Sequence, residues 1–144
     1  MRVGGRKRNY LYRYPADWCI IGSMQGKKVL IVDDDPMITT TFAKLFSDIG
    51  ATTETASTYE EGLAALKKSP PDVAILDLML PHHSGLELIK EVRQSAPQTF
   101  FVMLTNSVNA EHVADAMESN VTMYIQKADH DPQDIVKMIT DRFK

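Results

Sequence analysis

The chain has 144 residues, a formal net charge of −3 and a single cysteine. One domain of about 120 residues buries enough surface to fold without cross-links, and a lone cysteine excludes an internal disulfide framework. No apolar run approaches the roughly 20 residues that span a bilayer. The composition is therefore typical of a soluble protein of the reducing cytoplasm.

The charge is unevenly distributed along the chain. Residues 1–26 carry five basic side chains and one acidic side chain, a net charge of +4, which leaves −7 for residues 27–144. The first stretch has no strand or helix period, so we expect a mostly disordered basic and aromatic extension before a folded domain over 27–144. Met24 is an alternative start of the protein. The extension has three alternative interpretations, which are, in order of preference, an idle tail, a targeting peptide and a contact for single-stranded nucleic acid. The acidic body itself is unlike a nucleic-acid-binding domain.

A buried strand is predicted at the start of this body, where an apolar run over 29–32 ends at three consecutive aspartates and a proline. Pro36 suits the first turn of a helix and Asp35 suits its N-cap. Asp33 and Asp34 are then candidate ligands for a hard divalent cation, which prefers carboxylate oxygens. Two such charges about 4 Å apart repel by roughly 4 kcal/mol at an effective dielectric near 20, so we expect a positive group beside them.

Predicted strands and helices alternate along the rest of the body, five of each. Helical spacing after Pro36 predicts a first helix that ends at Gly50, which suits a left-handed cap, and Ser57 with Glu60 forms a capping-box pattern for the second helix. Continuous apolar strands joined by helices imply a parallel sheet covered on both faces. The predicted strands are 29–32, 51–56, 72–77, 99–104 and 122–126, the helices begin at 36, 57, 86, near 113 and at 132, and 78–85 is predicted as a loop.

Polar residues stand at the carboxyl ends of four of these strands, at the edge where parallel strands end together. They are Asp33 with Asp34, then Asp77, Thr105 and Lys127. Taken singly, each has an ordinary interpretation as a turn former, a helix cap or a solvated lysine. Together they suit a phosphoryl group, since a carboxylate attacks phosphorus once the charge of the transferring group is neutralised. The sequence therefore predicts Mg²⁺ at this edge, with the central Asp77 as the nucleophile.

Four segments also carry a family resemblance: Val-Leu-Ile-Val-Asp-Asp-Asp-Pro, Ile-Leu-Asp-Leu-Met-Leu-Pro-His-His-Ser-Gly, Met-Leu-Thr-Asn and Tyr-Ile-Gln-Lys. On these segments, residues 28–143 resemble a response-regulator receiver domain of two-component signalling, of the stand-alone single-domain type. The resemblance implies an α/β flavodoxin-like doubly wound fold with a five-stranded parallel sheet in the order 2-1-3-4-5.

The resemblance also implies roles and partners. A sensor histidine kinase or a histidine phosphotransfer protein would donate the phosphoryl group, and a downstream effector would bind the face made by the fourth helix, fifth strand and fifth helix. Neither a membrane nor direct nucleic-acid contact is expected. The implied residues are the phosphoacceptor Asp77; the Mg²⁺ ligands Asp33, Asp34, Asp77 and the backbone carbonyl of Met79; the phosphoryl contacts Thr105 and Lys127; and the switch pair Thr105 and Tyr124, whose ring turns inward on activation.

Some positions depart from the family pattern or invite another interpretation. Ala128 stands where the family usually has a proline, so a trans peptide bond is expected after Lys127. Asn106 is bulkier than the residue that usually follows the threonine, and we expect it to narrow access to the site. His82 and His83 are adjacent, which makes a poor chelate, so we interpret them as surface residues.

Three other functions are alternatives to the phosphoacceptor. A receiver-like docking module would never take phosphate, and a receiver fragment of a longer regulator would act through a DNA-binding domain. A phosphatase with an aspartyl nucleophile would need a second aspartate two residues after the nucleophile, where Met79 stands. We therefore expect no turnover of an external substrate.

Overall fold

A five-stranded parallel sheet organises the computed structural model, which describes residues 24–106 and 121–143. The strands are Lys28–Val32 (β1), Thr52–Ala56 (β2), Val73–Asp77 (β3), Phe100–Thr105 (β4) and Met123–Gln126 (β5). In the order β2-β1-β3-β4-β5 the neighbouring strands all pair in parallel, which confirms the predicted order. In the described part of the chain, no helix combines the length and the apolar character that a bilayer crossing requires.

Helices follow the strands and begin at capping residues. Asp35 accepts a hydrogen bond from Met37 N at 2.9 Å, which confirms the predicted cap. Asp131 caps the helix that begins at Pro132, as predicted, and accepts a hydrogen bond from Asp134 N at 3.0 Å. Gly50 has φ +104° after the first helix, the left-handed conformation that was predicted there. The predicted fourth helix lies outside the described residues. The described helices are Pro36–Asp48 (α1), Tyr59–Lys68 (α2), Gly85–Val92 (α3) and the C-terminal helix Pro132–Thr140, with 3₁₀ turns at Lys127–Asp129 and Asp141–Phe143.

The cap of α2 differs from the prediction by one residue. Thr58, not Ser57, is the N-cap, and its hydroxyl oxygen accepts a hydrogen bond from Glu61 N at 3.1 Å. The side chain of Glu61, not that of Glu60, reaches back to accept from Ser57 N at 2.9 Å. Burial of Tyr59 favours the start at Tyr59 over the predicted start at Ser57, because the helix that begins at Tyr59 has the Tyr59 side chain on its buried face.

The segment predicted as a loop over 78–85 contains a short hairpin, in which Met79–Leu80 pairs antiparallel with His83–Ser84. We call residues 79–84 the 79–84 hairpin. His82 lies at its tip with φ +69°. The following helix, α3, begins at Gly85 behind a capping box formed by Ser84 and Glu87, a signal that the sequence analysis missed.

Hydrophobic residues fill both faces of the sheet, because successive residues of a strand face opposite sides. On one face, Leu30 and Leu76 pack in a cluster with Leu88 of α3. On the other face, Ile31 packs in a cluster with Phe42 of α1 and with residues of the C-terminal helix. The sheet is therefore covered on both sides, and its polar chemistry is confined to the edges.

Met24 belongs to the packed body, although it falls within the extension predicted over 1–26. Its side chain is fully buried in the same cluster as Phe42, and its backbone N–H donates to the Ile49 carbonyl oxygen at 3.3 Å. The polar residues between Met24 and β1 hid this contact in the sequence. The body thus includes residues before the predicted boundary at 27, and residues 1–23 lie outside the described part.

Candidate functional site

Three carboxylates meet at the carboxyl edge of the sheet. Val32 pairs with Leu76 in the register of β1 and β3, so the residues that follow, Asp33 and Asp77, lie next to each other. Asp33, Asp34 and Asp77 each offer an oxygen, and these oxygens all lie within 4.8 Å of one another. Asp33 and Asp77 are buried, whereas Asp34 is exposed. The structure thus brings together the three carboxylates that the sequence singled out.

Lys127 provides the counter-charge that such a cluster requires. It follows β5 and its ammonium Nζ lies 2.8 Å from Asp33 Oδ2 and 3.7 Å from Asp77 Oδ2. The Lys127 side chain is 16% exposed, so the contact with Asp33 is a shielded ion pair and not a surface one. Within the described residues no peptide bond is cis, which confirms the trans bond expected between Lys127 and Ala128.

Backbone N–H groups fix the orientation of the two buried carboxylates. Met79 N donates to Asp77 Oδ1 at 3.2 Å, and Asp35 N donates to Asp33 Oδ1 at 2.9 Å. Gly85 packs closely against the backbone of Asp77, because a Cβ atom at position 85 would lie 2.4 Å from the Asp77 carbonyl oxygen. The first turn of α3 therefore packs directly on the backbone of Asp77, a contact that only glycine permits.

The electrostatics of the cluster favour binding of a cation. Burial, followed by the charge of Asp33, raises the pKa of Asp77 from 3.8 to about 6, while Lys127 and the Met79 N–H oppose the shift. Burial alone would lower the pKa of Lys127, but its hydrogen bond to Asp33 and the neighbouring carboxylates outweigh burial and raise it. Three carboxylates against one ammonium leave net negative charge in a pocket of oxygen donors, and this donor set fits a hard divalent cation such as Mg²⁺.

Thr105 and Tyr124 lie on the two strands beyond Asp77. Asp77 pairs with Leu104 in the register, so Thr105, which is buried, stands one residue further toward the carboxyl edge. Tyr124 lies three residues before Lys127, within β5, and packs against the cluster that contains Leu76. Its hydroxyl is buried and has no hydrogen-bond partner among the residues that the structure describes, and burial raises its pKa.

The two histidines differ in their surroundings. His82 is exposed at the hairpin tip, as predicted. His83 is partly buried, because its ring packs on the ring of Tyr59 with 4.3 Å between centroids. The side chain is still 36% exposed, and the stack was not predicted because Tyr59 lies 24 positions earlier in the chain. Asn106 is exposed, directly after Thr105.

Comparison with known proteins agrees with this geometry. The family model described as the response regulator receiver domain matches residues 29–140. Over 129 residues the chain is 32% identical to the acid tolerance regulatory protein ActR of Rhizobium meliloti (strain 1021). This match covers 90% of the chain and 65% of ActR. The chain thus spans slightly less than two thirds of the length of that curated relative.

Solved structures resemble the fold as well. A CheY-like response regulator receiver domain protein from Methanospirillum hungatei JF-1 superposes with a TM-score of 0.77 at 28% identity, covering 81% of this chain and 93% of that one. The chemotaxis response regulator CheY4 of Vibrio cholerae gives 0.74 at 30% identity, covering 82% and 98%. The chain belongs to the family of receiver domains of two-component response regulators.

Proposed function

We propose that this receiver domain accepts a phosphoryl group on Asp77 in the presence of Mg²⁺. The observation that carries the proposal is the convergence of Asp33, Asp34 and Asp77 with the ammonium of Lys127 at one edge of the sheet. The donor would be the phosphohistidine of a sensor histidine kinase or of a histidine phosphotransfer protein.

The three carboxylates would hold the ion, with the backbone carbonyl of Met79 as a further protein ligand. Mg²⁺ retains several waters and needs only a few carboxylates, so this set is sufficient. When bound, the ion neutralises charge on the carboxylates and on the transferring phosphoryl group. The Met79 N–H meanwhile remains on Asp77 Oδ1 and holds this side chain in one orientation.

The transfer itself is a substitution at phosphorus. A carboxylate oxygen of Asp77 forms the new O–P bond while the P–N bond of the donor's phosphohistidine breaks. The donor imidazole leaves with the electron pair of that bond and, because it carries a proton on its other ring nitrogen, it leaves neutral. Only the ionised form of Asp77 can attack, and with a pKa of about 6 this form predominates at pH 7 and above.

Lys127 and Thr105 would contact the oxygens of the transferred group. The Lys127 ammonium already lies between Asp33 and Asp77, so a short movement of its flexible side chain is enough to reach a phosphoryl group on Asp77. The hydroxyl of Thr105 would supply one directed hydrogen bond from the neighbouring strand. Both contacts stabilise negative charge where it develops during the transfer.

Output would follow from a switch that involves Thr105 and Tyr124. A buried hydroxyl without a hydrogen-bond partner is unfavourable by about 1–3 kcal/mol. The Tyr124 hydroxyl has none within residues 24–106 and 121–143, so Tyr124 gains from an arrangement that gives it one. Movement of Thr105 toward the phosphate would change the space around this ring. Phosphorylation would then bias a two-state equilibrium of the face made by the predicted fourth helix, β5 and the C-terminal helix, where an effector protein would bind.

The proposal describes a signalling module and not a turnover enzyme, because the product of the transfer remains bonded to Asp77. It is tested by incubating the protein with acetyl phosphate and Mg²⁺ and measuring its mass. Wild type should gain one phosphoryl group and Asp77→Asn should gain none. Asp72→Asn, at the opposite end of β3, is the matched control and should be labelled like wild type. No labelling of either protein would favour the docking module that never takes phosphate. Equal labelling of wild type and Asp77→Asn would place the phosphoryl group on another residue and would also contradict the proposal.

A further inference from the structure

The 79–84 hairpin lies between Asp77, the last residue of β3, and Gly85, the first residue of α3. Its first residue, Met79, donates its N–H to Asp77 Oδ1, and Leu78, directly before it, accepts a hydrogen bond from Gly85 N at 2.9 Å. Under the proposed function the carbonyl of Met79 is also a ligand of the ion. The conformation of this hairpin therefore decides where two groups of the site lie.

The hairpin is too short to hold this conformation alone. Its ladder has only two residue pairs, Met79 with Ser84 and Leu80 with His83, and short isolated hairpins are marginally stable in water. The left-handed conformation of His82 at the tip, with φ +69°, is one that residues other than glycine adopt reluctantly. Contacts from outside the hairpin must therefore stabilise it.

His83 makes such contacts with both neighbouring helices. Its ring packs on the ring of Tyr59 at the start of α2, with 4.3 Å between centroids and 30° between the planes. Its Nδ1 lies 3.5 Å from Glu87 Oε1 of α3, and its Nε2 lies 3.9 Å from Glu60 Oε2 of α2. A single side chain thus joins the hairpin to α2 and α3.

Tyr59 is a firm support for this ring. It is 8% exposed, and its hydroxyl donates a short hydrogen bond to Glu91 of α3, which also lies 3.8 Å from Lys67 Nζ. The bond to Glu91, together with burial, raises the pKa of Tyr59 to about 12, so the hydroxyl remains a donor at physiological pH. The aromatic surface under His83 is therefore fixed by α2 and α3 together.

We propose that His83 is a positioning residue for the phosphoacceptor site, because its ring, stacked on Tyr59, holds the hairpin that places the Met79 peptide group beside Asp77. The inference rests on the proposed function, since it assigns the hairpin a part in Mg²⁺ binding. His83 itself touches neither the ion nor the phosphoryl group.

Three variants test the role of the ring. His83→Ala removes the stack, His83→Phe keeps an aromatic ring without its nitrogens, and His82→Asn changes the adjacent exposed imidazole to a residue that tolerates the left-handed conformation. For each variant we would measure the Mg²⁺ dissociation constant by NMR titration. Amide exchange at Met79 in the metal-free protein is the second readout, because it reports on the hairpin directly.

His83→Ala is expected to weaken Mg²⁺ binding about tenfold, a change typical of residues that orient ligands without binding the metal, and to accelerate exchange at Met79. His83→Phe and His82→Asn should remain close to wild type in both measurements. Loss of stability in His83→Ala with unchanged Mg²⁺ affinity and unchanged exchange would overturn the inference, as would an equal loss in His83→Phe. If wild type itself binds no Mg²⁺, the proposed function fails and this inference fails with it.

Discussion

Asp77 is expected to weaken the fold when it is ionised, so Asp77→Asn should stabilise the metal-free protein. The side chain is 11% exposed and lies among two other carboxylates. Burial and the charge of Asp33 raise its pKa from 3.8 to about 6. At about 1.36 kcal/mol per pKa unit, the ionised carboxylate lowers the free energy of unfolding by about 3 kcal/mol above pH 7.

The sign of the pH dependence follows from the direction of the shift. Well below pH 3.8, Asp77 is protonated in both the folded and the unfolded state, and its ionisation has no effect on the free energy of unfolding. As the pH rises from about 4 through 6, the unfolded state releases its proton first, so wild type loses stability that Asp77→Asn retains. The difference between the two proteins should therefore appear in this window and remain constant above it.

The assay is urea unfolding of wild type and Asp77→Asn, followed by circular dichroism in EDTA between pH 4 and pH 8. At pH 7.5 the variant should be more stable by about 3 kcal/mol, which corresponds to roughly 10 °C in Tm. Asp72→Asn is the control and should give no gain, because Asp72 accepts a favourable hydrogen bond from Lys28 N at 2.8 Å. Mg²⁺ should stabilise wild type more than Asp77→Asn. Equal stability of the two proteins at pH 7.5, or a gain that persists unchanged at pH 4, would refute the reasoning.

Three further substitutions test other parts of the structure. Lys127→Met removes the ammonium that lies 2.8 Å from Asp33. We expect the free energy of unfolding in urea to fall by about 3 kcal/mol and labelling by acetyl phosphate to become roughly a hundredfold slower. An unchanged labelling rate would contradict the role of the ammonium. Gly85→Ala places a methyl group 2.4 Å from the Asp77 carbonyl oxygen. The free energy of unfolding, measured by thermal unfolding, should therefore fall by about 1–3 kcal/mol. No change in stability would contradict this close packing. Thr58→Ala should lower stability by about 1 kcal/mol through loss of the α2 cap, and a greater loss in Ser57→Ala would restore the register predicted from the sequence.

The sheet and its polar edge were predictable because their signals are local. Continuous apolar runs indicated the strands, and the residue after each run gave Asp33, Asp77 and Lys127 without any knowledge of contacts. Parallel strands end at one edge, so convergence of these side chains followed from the architecture. The order of the strands came from the family resemblance and could not be derived from periodicity.

The predictions from the sequence were wrong where two neighbouring residues are equally suitable for one role, or where a residue contacts a partner that is distant in the chain. Ser57 and Thr58 are both suitable N-caps, and only the burial of Tyr59 selects the second. Met24 is separated from β1 by polar residues, and its contact with Ile49 depends on how α1 ends. Local propensity contains no information about such packing.

The 79–84 hairpin was missed for a similar reason. Pro81 and the polar residues around it indicate a turn, and a ladder of two residue pairs adds no period that a sequence pattern can detect. The stack of His83 on Tyr59 joins residues 24 positions apart on different elements. Only the folded arrangement of α2 and α3 makes this contact visible.

The central claim is that Asp77 takes a phosphoryl group in a pocket shared with Thr105 and Lys127, and NMR with beryllofluoride and Mg²⁺ tests it most directly. Beryllofluoride mimics a phosphoryl group on a carboxylate. In wild type we predict shifts of the amide signals of Asp77, Thr105 and Lys127, and in Asp77→Asn we predict none. Shifts that persist in Asp77→Asn, or a wild-type spectrum that does not respond, would contradict the account.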